Sequence, residues 1–323
     1  HAGRENIENS FIGRILGRSA MWRCRRIRTP SLASAARQGQ TGAARCGYPS
    51  RPDSLPRPMD HTTRFAGIDR LYGRGAAIRL HAAHVAIIGV GGVGSWVAEA
   101  LARSGIGELT LFDADEICVS NTNRQLHALD GEFGKLKVEA LRERLQKVSP
   151  TLTIHAEAAF VTPGTLAEQL GRGYDLVLDC CDAFRVKVEM IAFCRRRKIP
   201  LIVSGSAGGR IDPTKIIVRD LSKTEHDAML ALIRKKLRDE FHFPRGPKRY
   251  FGVQAVYSLE NVRYPQADGT VCGVRPDAGD AGKLDCGGGL GAAMHVTAGF
   301  AMAMVGRALD RLLAAKTQAA TPN

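Results

Sequence analysis

Glycines and acids between residues 84 and 128 are of the types, and at the spacing, that bind a nucleotide. The glycines are Gly89, Gly91, Gly92 and Gly94. They follow an apolar run in a G-x-G-x-x-G pattern and precede a predicted helix, so the backbone can approach phosphates at a helix N-terminus. Asp113 ends the next apolar run, where a carboxylate can bind the hydroxyls of a ribose. A tight strand-to-helix turn without a ligand is the alternative interpretation of the loop alone.

The residues after Asp113 distinguish between nucleotides. The chain continues through Asp115 to the stretch SNTNRQ at 120–125, and Lys135 and Lys137 then begin a predicted helix. Arginine and lysine in this number beside a glycine loop suit a triphosphate and its charged transition state better than a diphosphate. ATP is therefore the expected nucleotide. An NAD-dependent dehydrogenase is the less favoured alternative.

Two further acids follow a buried apolar run at 174–179. The stretch LDCCDAF places Asp179 and Asp182 at the end of this predicted strand, and such a carboxylate can hold Mg²⁺ together with bound phosphates. Cys180 and Cys181 lie between the two acids. We interpret these cysteines as small apolar residues at a buried strand end rather than as nucleophiles.

The elements that must position these residues alternate between strands and helices. Strands are predicted at 85–88, 109–112, near 154, at 174–179 and at 199–206, with helices at 95–102, 136–148 and 184–198. This order predicts an α/β fold with a doubly wound, mostly parallel, Rossmann-like sheet that binds ligands at the carboxyl ends of its strands. Strands at 215–220 and 252–260 and helices at 226–240 and up to residue 315 form an additional C-terminal portion. We predict core positions for Met294, Met302 and Met304 in the last helix.

The charge of the chain is divided unequally. The net charge is +14, and residues 1–58 contribute +8 of it through eleven arginines and three acids. That segment has no sustained apolar period, so we interpret it as a disordered extension, with Met59 as the hypothetical natural start. Residues 59–323 are then predicted to form one adenylation domain, with a nucleotide-binding core at about 84–206 and a substrate-facing part at about 207–323.

The cysteines and the hydropathy limit the class of protein. Eight cysteines are scattered without a C-x-x-C pair, which argues against a zinc knuckle or a disulfide framework. The longest apolar run, at 290–305, is shorter than the roughly 20 residues that span a bilayer. A cytoplasmic protein is the expectation.

With these motifs the chain resembles the ubiquitin-activating-enzyme-like adenylyltransferases. The matching features are the four glycines, the D-x-D pair, SNTNRQ, Lys137 and the second acid of DCCD. The resemblance implies that Asp113 binds the ribose, that Asn121, Arg124 and Lys137 contact phosphates, and that Asp182 binds Mg²⁺. Asp115, Asn123, Gln125 and Lys135 are further candidates for the nucleotide site. The resemblance also implies a homodimer in which an upstream arginine reaches the partner's ATP site; Arg70 is the candidate, with Arg64 and Arg74 as rivals.

Longer stretches resemble one branch of that family, the bacterial tRNA threonylcarbamoyladenosine dehydratases. They include RFAGIDRLYG, VSNTNRQLHAL, FVTP, SAGGRIDPTKI, DLSKTEHDAML and YPQADGTVCG, and they extend from residue 64 to about 314. The branch implies ATP-dependent adenylation of the carboxylate of threonylcarbamoyladenosine beside the tRNA anticodon, followed by cyclisation with loss of water. A cysteine desulfurase or sulfur acceptor is an implied partner. The alternative within the family is an activator of a sulfur-carrier or ubiquitin-like protein.

With this resemblance, a basic stretch in the C-terminal portion is predicted to bind tRNA. Residues 234–249 carry seven lysines or arginines against two acids, with Phe241 and Phe243 interleaved. Such a stretch can follow a phosphate backbone and stack on a loop base. The predicted tRNA contacts are Lys235, Lys236, Lys248 and Arg249. A solvated helix face is the alternative.

Overall fold

The structure is a computed structural model that describes residues 61–246, 248–266, 268–275 and 290–315. Its helices are α1 (His61–Arg64), α2 (Ala66–Tyr72), α3 (Ala76–His81), α4 (Gly94–Arg103), α5 (Lys137–Val148), α6 (Leu166–Leu170), α7 (Phe184–Arg197), α8 (Ala228–Glu240) and α9 (Met294–Ala315). Its strands are β1 (His84–Ile88), β2 (Glu108–Phe112), β3 (Thr153–Glu157), β4 (Leu176–Asp179), β5 (Leu201–Ser204), β6 (Ile216–Asp220), β7 (Gln254–Ser258), β8 (Tyr264–Pro265) and β9 (Val271–Cys272). The predicted extension at 1–58 and the start at Met59 lie outside the described residues.

Seven of these strands form one sheet in the order β3-β2-β1-β4-β5-β7-β6. Six neighbouring strands run parallel, and only the edge strand β6 pairs antiparallel, with β7. Strands β2 and β3 extend the sheet on one side of β1, and β4 and β5 extend it on the other side. At such a switch point, here between β1 and β4, an open α/β sheet leaves a crevice at its carboxyl edge. The predicted doubly wound, mostly parallel sheet is therefore confirmed, with β6 as its antiparallel exception.

Apolar side chains cover the sheet on both faces. One buried cluster joins alternate residues of β1, β2 and β4 to α4, α5 and α9, and a second joins the opposite residues of these strands to α7 and α8. Because successive side chains of a strand point to opposite faces, a strand that is buried on both sides is apolar throughout. Leu176, Val177 and Leu178 of β4, each 0% exposed, show this pattern.

The last helix corrects one prediction about the core. Met304 is fully buried, but Met294 and Met302 are 43% and 47% exposed. The reason is periodicity: α9 is a long helix with one stripe in the core, and residues 302 and 304 lie on different faces of it. Among the helices in the described ranges, none combines the length and hydropathy that crossing a membrane requires.

The basic stretch begins on α8 and continues into the segment that leads to β7. Phe241 and Phe243 pack on the second core cluster, and the Phe243 ring lies edge-on to that of Phe251, with 4.9 Å between centroids. Both rings remain half-buried, and they line a cavity of about 340 Å³ together with Arg195 and Arg196. The stacking of a tRNA base on these rings stays a prediction.

Candidate functional site

A cavity of about 1000 Å³ opens at the carboxyl edge of the sheet. Its lining includes Gly89, Gly91, Gly92, Asp113, Asp115, Asn121, Arg124, Gln125, Lys137 and Asp182. These residues come from the loops after β1, β2 and β4, which the strand order brings together. The fold thus gathers ten of the predicted nucleotide-site residues around one space.

The glycine loop is shaped by close backbone approaches. Gly89 has a φ of +81°, and a Cβ at Gly94 would lie 1.9 Å from the carbonyl oxygen of Gly89. Gly94 therefore packs against the backbone of Gly89 within the turn, whereas Gly91 and Gly92 line the cavity. Ser95, at the start of α4, does not face the cavity, because its Oγ accepts the backbone N–H of Leu126.

Asp113 connects the first two loops. Its carboxylate accepts the backbone N–H of Val90 at 2.8 Å and that of Asp115 at 2.9 Å. The residue is 5% exposed, and burial raises the pKa of its carboxyl group against the opposing effect of these hydrogen bonds. The carboxylate is held rigidly at the cavity wall, at the position expected for a ribose-binding acid.

The SNTNRQ stretch forms a short 3-10 helix and a turn. Asn121 is buried, and its Oδ1 accepts the backbone N–H of Cys118 at 3.0 Å. Arg124 donates to Asn123 Oδ1 at 3.0 Å, and Asn123 donates to the carbonyl of Ala292 at 2.7 Å. Asn123 is therefore a residue that orients Arg124 and fixes the entry to α9, and it is not part of the cavity lining.

Lys137 forms an ion pair in the lining of the same cavity. Its Nζ lies 2.6 Å from Asp115 Oδ2, and its side chain is 7% exposed, against 54% for that of Asp115. Lys135, a predicted residue of the nucleotide site, is not among the residues that line the cavity. Its ammonium pairs with Glu132 at 3.1 Å.

The two acids of DCCD have different surroundings. Asp179 and Lys187 form an ion pair of 2.7 Å whose side chains are both fully buried, so Asp179 does not face a ligand. Asp179 Oδ1 also accepts the backbone N–H of Cys181 at 3.3 Å. Asp182 is exposed, lines the cavity, and has no ionic partner among the described residues. An exposed carboxylate oxygen beside the glycine loop suits a hard divalent cation.

The two cysteines also line the cavity but have unreactive surroundings. Burial, reinforced by the Asp179 carboxylate, raises the pKa of the Cys180 and Cys181 thiols well above the ordinary range. Since the thiolate is the nucleophilic form, neither side chain is prepared for covalent catalysis.

Two buried polar side chains near the site have atoms without a partner in the described structure. Gln125 lines the cavity, and its Oε1 accepts no hydrogen bond from the described residues. His127, which no motif singled out, is 2% exposed with both ring nitrogens unpaired within the described ranges, and burial, followed by the charge of Lys137, lowers its pKa to about 4. The His127 ring is therefore neutral near pH 7.

A second region of the cavity was missed by motif reasoning. It consists of Phe160–Thr162, Val186, Ser204–Gly208 and Met229, from the ends of β3 and β5 and the first turns of α7 and α8. The stretches FVTP and SAGG lie here. They were part of the family resemblance, but no role in the site was predicted for their residues. The combined space is lined by charged residues on one side and by small and apolar residues on the other.

The remaining candidates lie outside the cavity. Arg64, Arg70 and Arg74 are exposed on the N-terminal helices and the turn after them, and Arg64 donates to the carbonyl of Val148 at 3.0 Å. Lys235, Lys236, Lys248 and Arg249 are exposed, and Lys236 pairs with Glu240 along α8. The topology places Lys248 and Arg249 just before β7, toward the amino edge of the sheet.

Known proteins are similar to this chain in sequence and architecture. A family profile described as the ThiF family matches residues 66–321. The tRNA threonylcarbamoyladenosine dehydratase of Escherichia coli (strain K12) is 46% identical over 251 residues, which cover 78% of this chain and 94% of that protein. The protein of the same name from Haemophilus influenzae is 45% identical over 263 residues, covering 81% of this chain and 98% of that protein.

A solved structure resembles the fold over a similar extent. It is the E. coli tRNA N6-threonylcarbamoyladenosine dehydratase in complex with ATP, with a TM-score of 0.70 and 40% identity. The match covers 80% of this chain and 96% of that chain. The expected resemblance is confirmed by these comparisons and by the profile, and the chain belongs to the ThiF family.

Proposed function

We propose that this protein is an ATP-dependent tRNA threonylcarbamoyladenosine dehydratase. The observation that carries the proposal is the cavity, in which a glycine loop, Arg124, Lys137 and an unpaired Asp182 surround one space beside a region of small and apolar residues. Relatives of that name match this chain over nearly their whole length, which favours this function over activation of a sulfur-carrier protein.

The residues present fit a nucleotide and a divalent cation. Gly91 and Gly92 leave room for phosphates, and the unpaired Gln125 Oε1 is a free acceptor at the cavity wall within the described structure. Asp182 is the residue that would hold Mg²⁺, because its carboxylate is exposed in the cavity. When bound, the cation neutralises phosphate charge that develops during transfer.

The first step is attack of the substrate carboxylate on the α-phosphorus of ATP, with pyrophosphate as the leaving group. Arg124 is held by Asn123, and Lys137 is held by Asp115, so both cations are positioned before the charge develops. Asp113 fixes the ribose through a carboxylate that two backbone N–H groups keep in place. The product of this step is an acyl adenylate of threonylcarbamoyladenosine.

The second step is attack of a ureido nitrogen of the same substrate on the acyl carbon, which releases AMP. The new bond closes a ring, and the net change in the nucleoside is the loss of one water. Because the nucleophile is tethered, holding it in the reactive orientation supplies much of the rate. No protein nucleophile is required, which agrees with the raised pKa of Cys180 and Cys181.

The tRNA is proposed to contact α8 and the segment after it. Lys235 and Lys236 lie on α8, which begins beside the cavity, since the Asp227 side chain accepts the N–H of Ser206. At about 1.5 Å per residue, the helix extends about 20 Å toward the amino edge of the sheet, where Lys248 and Arg249 follow. This separation favours contacts with the stem phosphates while the modified nucleoside enters the cavity.

Further partners belong to the same proposal. A homodimer would allow Arg70 to reach the partner's ATP site. Among the described residues, the side chains of Arg70 and Arg74 have no hydrogen-bond partner, whereas that of Arg64 does. A cysteine desulfurase or sulfur acceptor is a proposed protein partner. A tRNA substrate implies that the enzyme acts in the cytoplasm.

The test incubates the protein with Mg·ATP and tRNA that carries threonylcarbamoyladenosine, and then determines the nucleoside masses after mild digestion. We expect an ATP-dependent loss of one water from that nucleoside, with AMP and pyrophosphate as products. A preparation that binds ATP but leaves the nucleoside unchanged would contradict the proposal. ATP–pyrophosphate exchange that depends on a small protein ending in Gly-Gly would then support the sulfur-carrier alternative.

A further inference from the structure

Three side chains with metal-binding chemistry meet at the amino edge of the sheet. They are His84, the first residue of β1, Glu108, the first residue of β2, and His155 in β3. His84 pairs with Glu108 in the register of β1 and β2, and His155 pairs with Thr110 in that of β2 and β3. Paired residues, and residues two apart on a strand, share a face of the sheet. All three side chains therefore project from the same face of three adjacent strands.

The ligand atoms are close together. His155 Nε2 lies 2.8 Å from Glu108 Oε1, and His84 Nδ1 lies 3.5 Å from the same oxygen. One potential ligand atom from each residue lies within 4.8 Å of the others. Metal–ligand bonds of about 2.0–2.1 Å in a tetrahedron require a spacing of about 3.3 Å between ligand atoms. The two shorter distances bracket this value, and the partial exposure of the side chains allows the small adjustment that remains.

Neighbouring residues orient the first histidine. His84 Nε2 lies 2.8 Å from Thr110 Oγ1, and the His84 ring lies edge-on to that of Tyr174, with 4.6 Å between centroids. A histidine whose second nitrogen is engaged in this way has a fixed ring orientation, and its other nitrogen is available to a metal. Here the available nitrogen is Nδ1, on the side of Glu108.

We propose that His84, Glu108 and His155 form a binding site for a divalent transition metal, with Zn²⁺ as the best-suited ion. Two imidazole nitrogens and one carboxylate oxygen form a donor set for Zn²⁺, with water as a fourth ligand, whereas Mg²⁺ prefers oxygen ligands alone. The site lies at the opposite edge of the sheet from the nucleotide cavity. The metal links the edge strand β3 to β1 through β2, so its binding stabilises the fold independently of the proposed reaction.

The test equilibrates the full chain with Zn²⁺ by dialysis and measures bound zinc by elemental analysis. We expect the His155→Ala and Glu108→Gln variants to bind one zinc equivalent less than the unaltered chain at the same free zinc concentration. Both side chains are partly exposed, so these variants keep the fold. Thr110→Val removes the hydroxyl that orients His84, and we expect it to weaken zinc affinity by about tenfold.

A control and a second readout separate this site from binding by cysteines. His295→Ala alters an exposed histidine on α9 and is expected to retain the full zinc content. Zinc is also expected to raise the thermal midpoint of the unaltered chain but not that of His155→Ala. Equal zinc content and equal midpoint shifts in the unaltered chain, His155→Ala and Glu108→Gln would overturn the proposal.

Discussion

Lys187 and Asp179 form a fully buried ion pair directly behind the loop that carries Asp182. Their charged atoms lie 2.7 Å apart, and neither side chain reaches solvent. Asp179 also accepts the backbone N–H of Cys181, so the pair fixes the start of the loop from β4 into α7. A second pair, Lys137 with Asp115, has nearly the same length of 2.6 Å, but its acid is half exposed. Because the two pairs differ in burial, we expect loss of Lys187 to affect mainly stability and loss of Lys137 to affect mainly activity.

Lys187→Met is expected to destabilise the protein by about 3–5 kcal/mol, because it leaves the Asp179 carboxylate buried without a counter-ion. Urea unfolding monitored by circular dichroism measures this loss. Lys135→Met is the matched control: the Lys135–Glu132 pair is exposed, so a change within about 0.5 kcal/mol is expected. A loss below about 1 kcal/mol for Lys187→Met would show that the buried pair is not important for stability.

Lys137→Met is expected to lower activity strongly while changing stability little. The Asp115 carboxylate that it leaves behind is half exposed and remains solvated, so the free energy of unfolding changes by less than about 1 kcal/mol. Loss of the positioned cation lowers kcat for ATP-dependent dehydration by about 10²–10³. Single-turnover kinetics with saturating ATP, together with urea unfolding, test both parts. An active variant, or an unfolded one, would contradict the assignment.

Asp182→Ala is expected to abolish turnover while the protein stays folded. The exposed carboxylate makes no ion pair within the described structure, and a metal contribution of several kcal/mol to the transition state corresponds to a loss of at least about 10² in kcat. The nucleoside assay gives the rate, and circular dichroism reports the fold. Asp310→Ala on α9, which removes an exposed pair with Arg307, serves as the control and is expected to retain the rate. Retained turnover in Asp182→Ala would remove Asp182 from the metal site.

His127 predicts a pH dependence of stability. Its pKa falls from 6.5 in the unfolded chain to about 4 in the folded protein, so the unfolded chain binds the additional proton between these values. The contribution of neutral His127 is therefore fully present above pH 6.5 and is lost as the pH falls toward 4, by about 3 kcal/mol in total.

Urea unfolding at intervals between pH 7 and pH 5 measures this contribution as the difference between the unaltered chain and His127→Gln. We expect the variant to have a flatter pH dependence across this window. His242→Gln, at an exposed position, is expected to follow the unaltered chain. Parallel curves for all three proteins would show that His127 is protonated equally in both states.

The basic residues on α8 and in the segment after it are expected to make tRNA binding depend on salt concentration. Replacing Lys235, Lys248 and Arg249 with Ser is expected to weaken binding and to reduce the slope of log K against log salt by roughly 0.7–0.9 for each phosphate that is no longer neutralised. Lys236→Ser is expected to have a smaller effect, because Lys236 pairs with Glu240. Filter binding at several salt concentrations measures the slopes, and ATP affinity is expected to stay unchanged. Unaltered slopes would place the tRNA on another surface.

Much of the fold and the nucleotide site was predictable because local patterns encode both. The apolar runs of β1, β2 and β4 are continuous since the strands are buried on both faces, and the glycine spacing reflects a turn in which a Cβ at Gly94 would collide with Gly89. Asp113 follows its strand directly, so its place at the carboxyl edge follows from the alternation of strands and helices.

What only the tertiary structure decided depends on contacts between distant segments. Residue type and position alone do not distinguish Asp179 from Asp182, and only the family resemblance favoured Asp182. In the structure, Lys187 from the next helix pairs with Asp179 and leaves Asp182 facing the cavity. The sequence also presents Lys135 and Lys137 as neighbours in one basic turn, and packing directs only Lys137 into the site. The sequence alone therefore determines which residue types are available at each strand end, and burial with its pairing of charges determines which of them can meet a ligand.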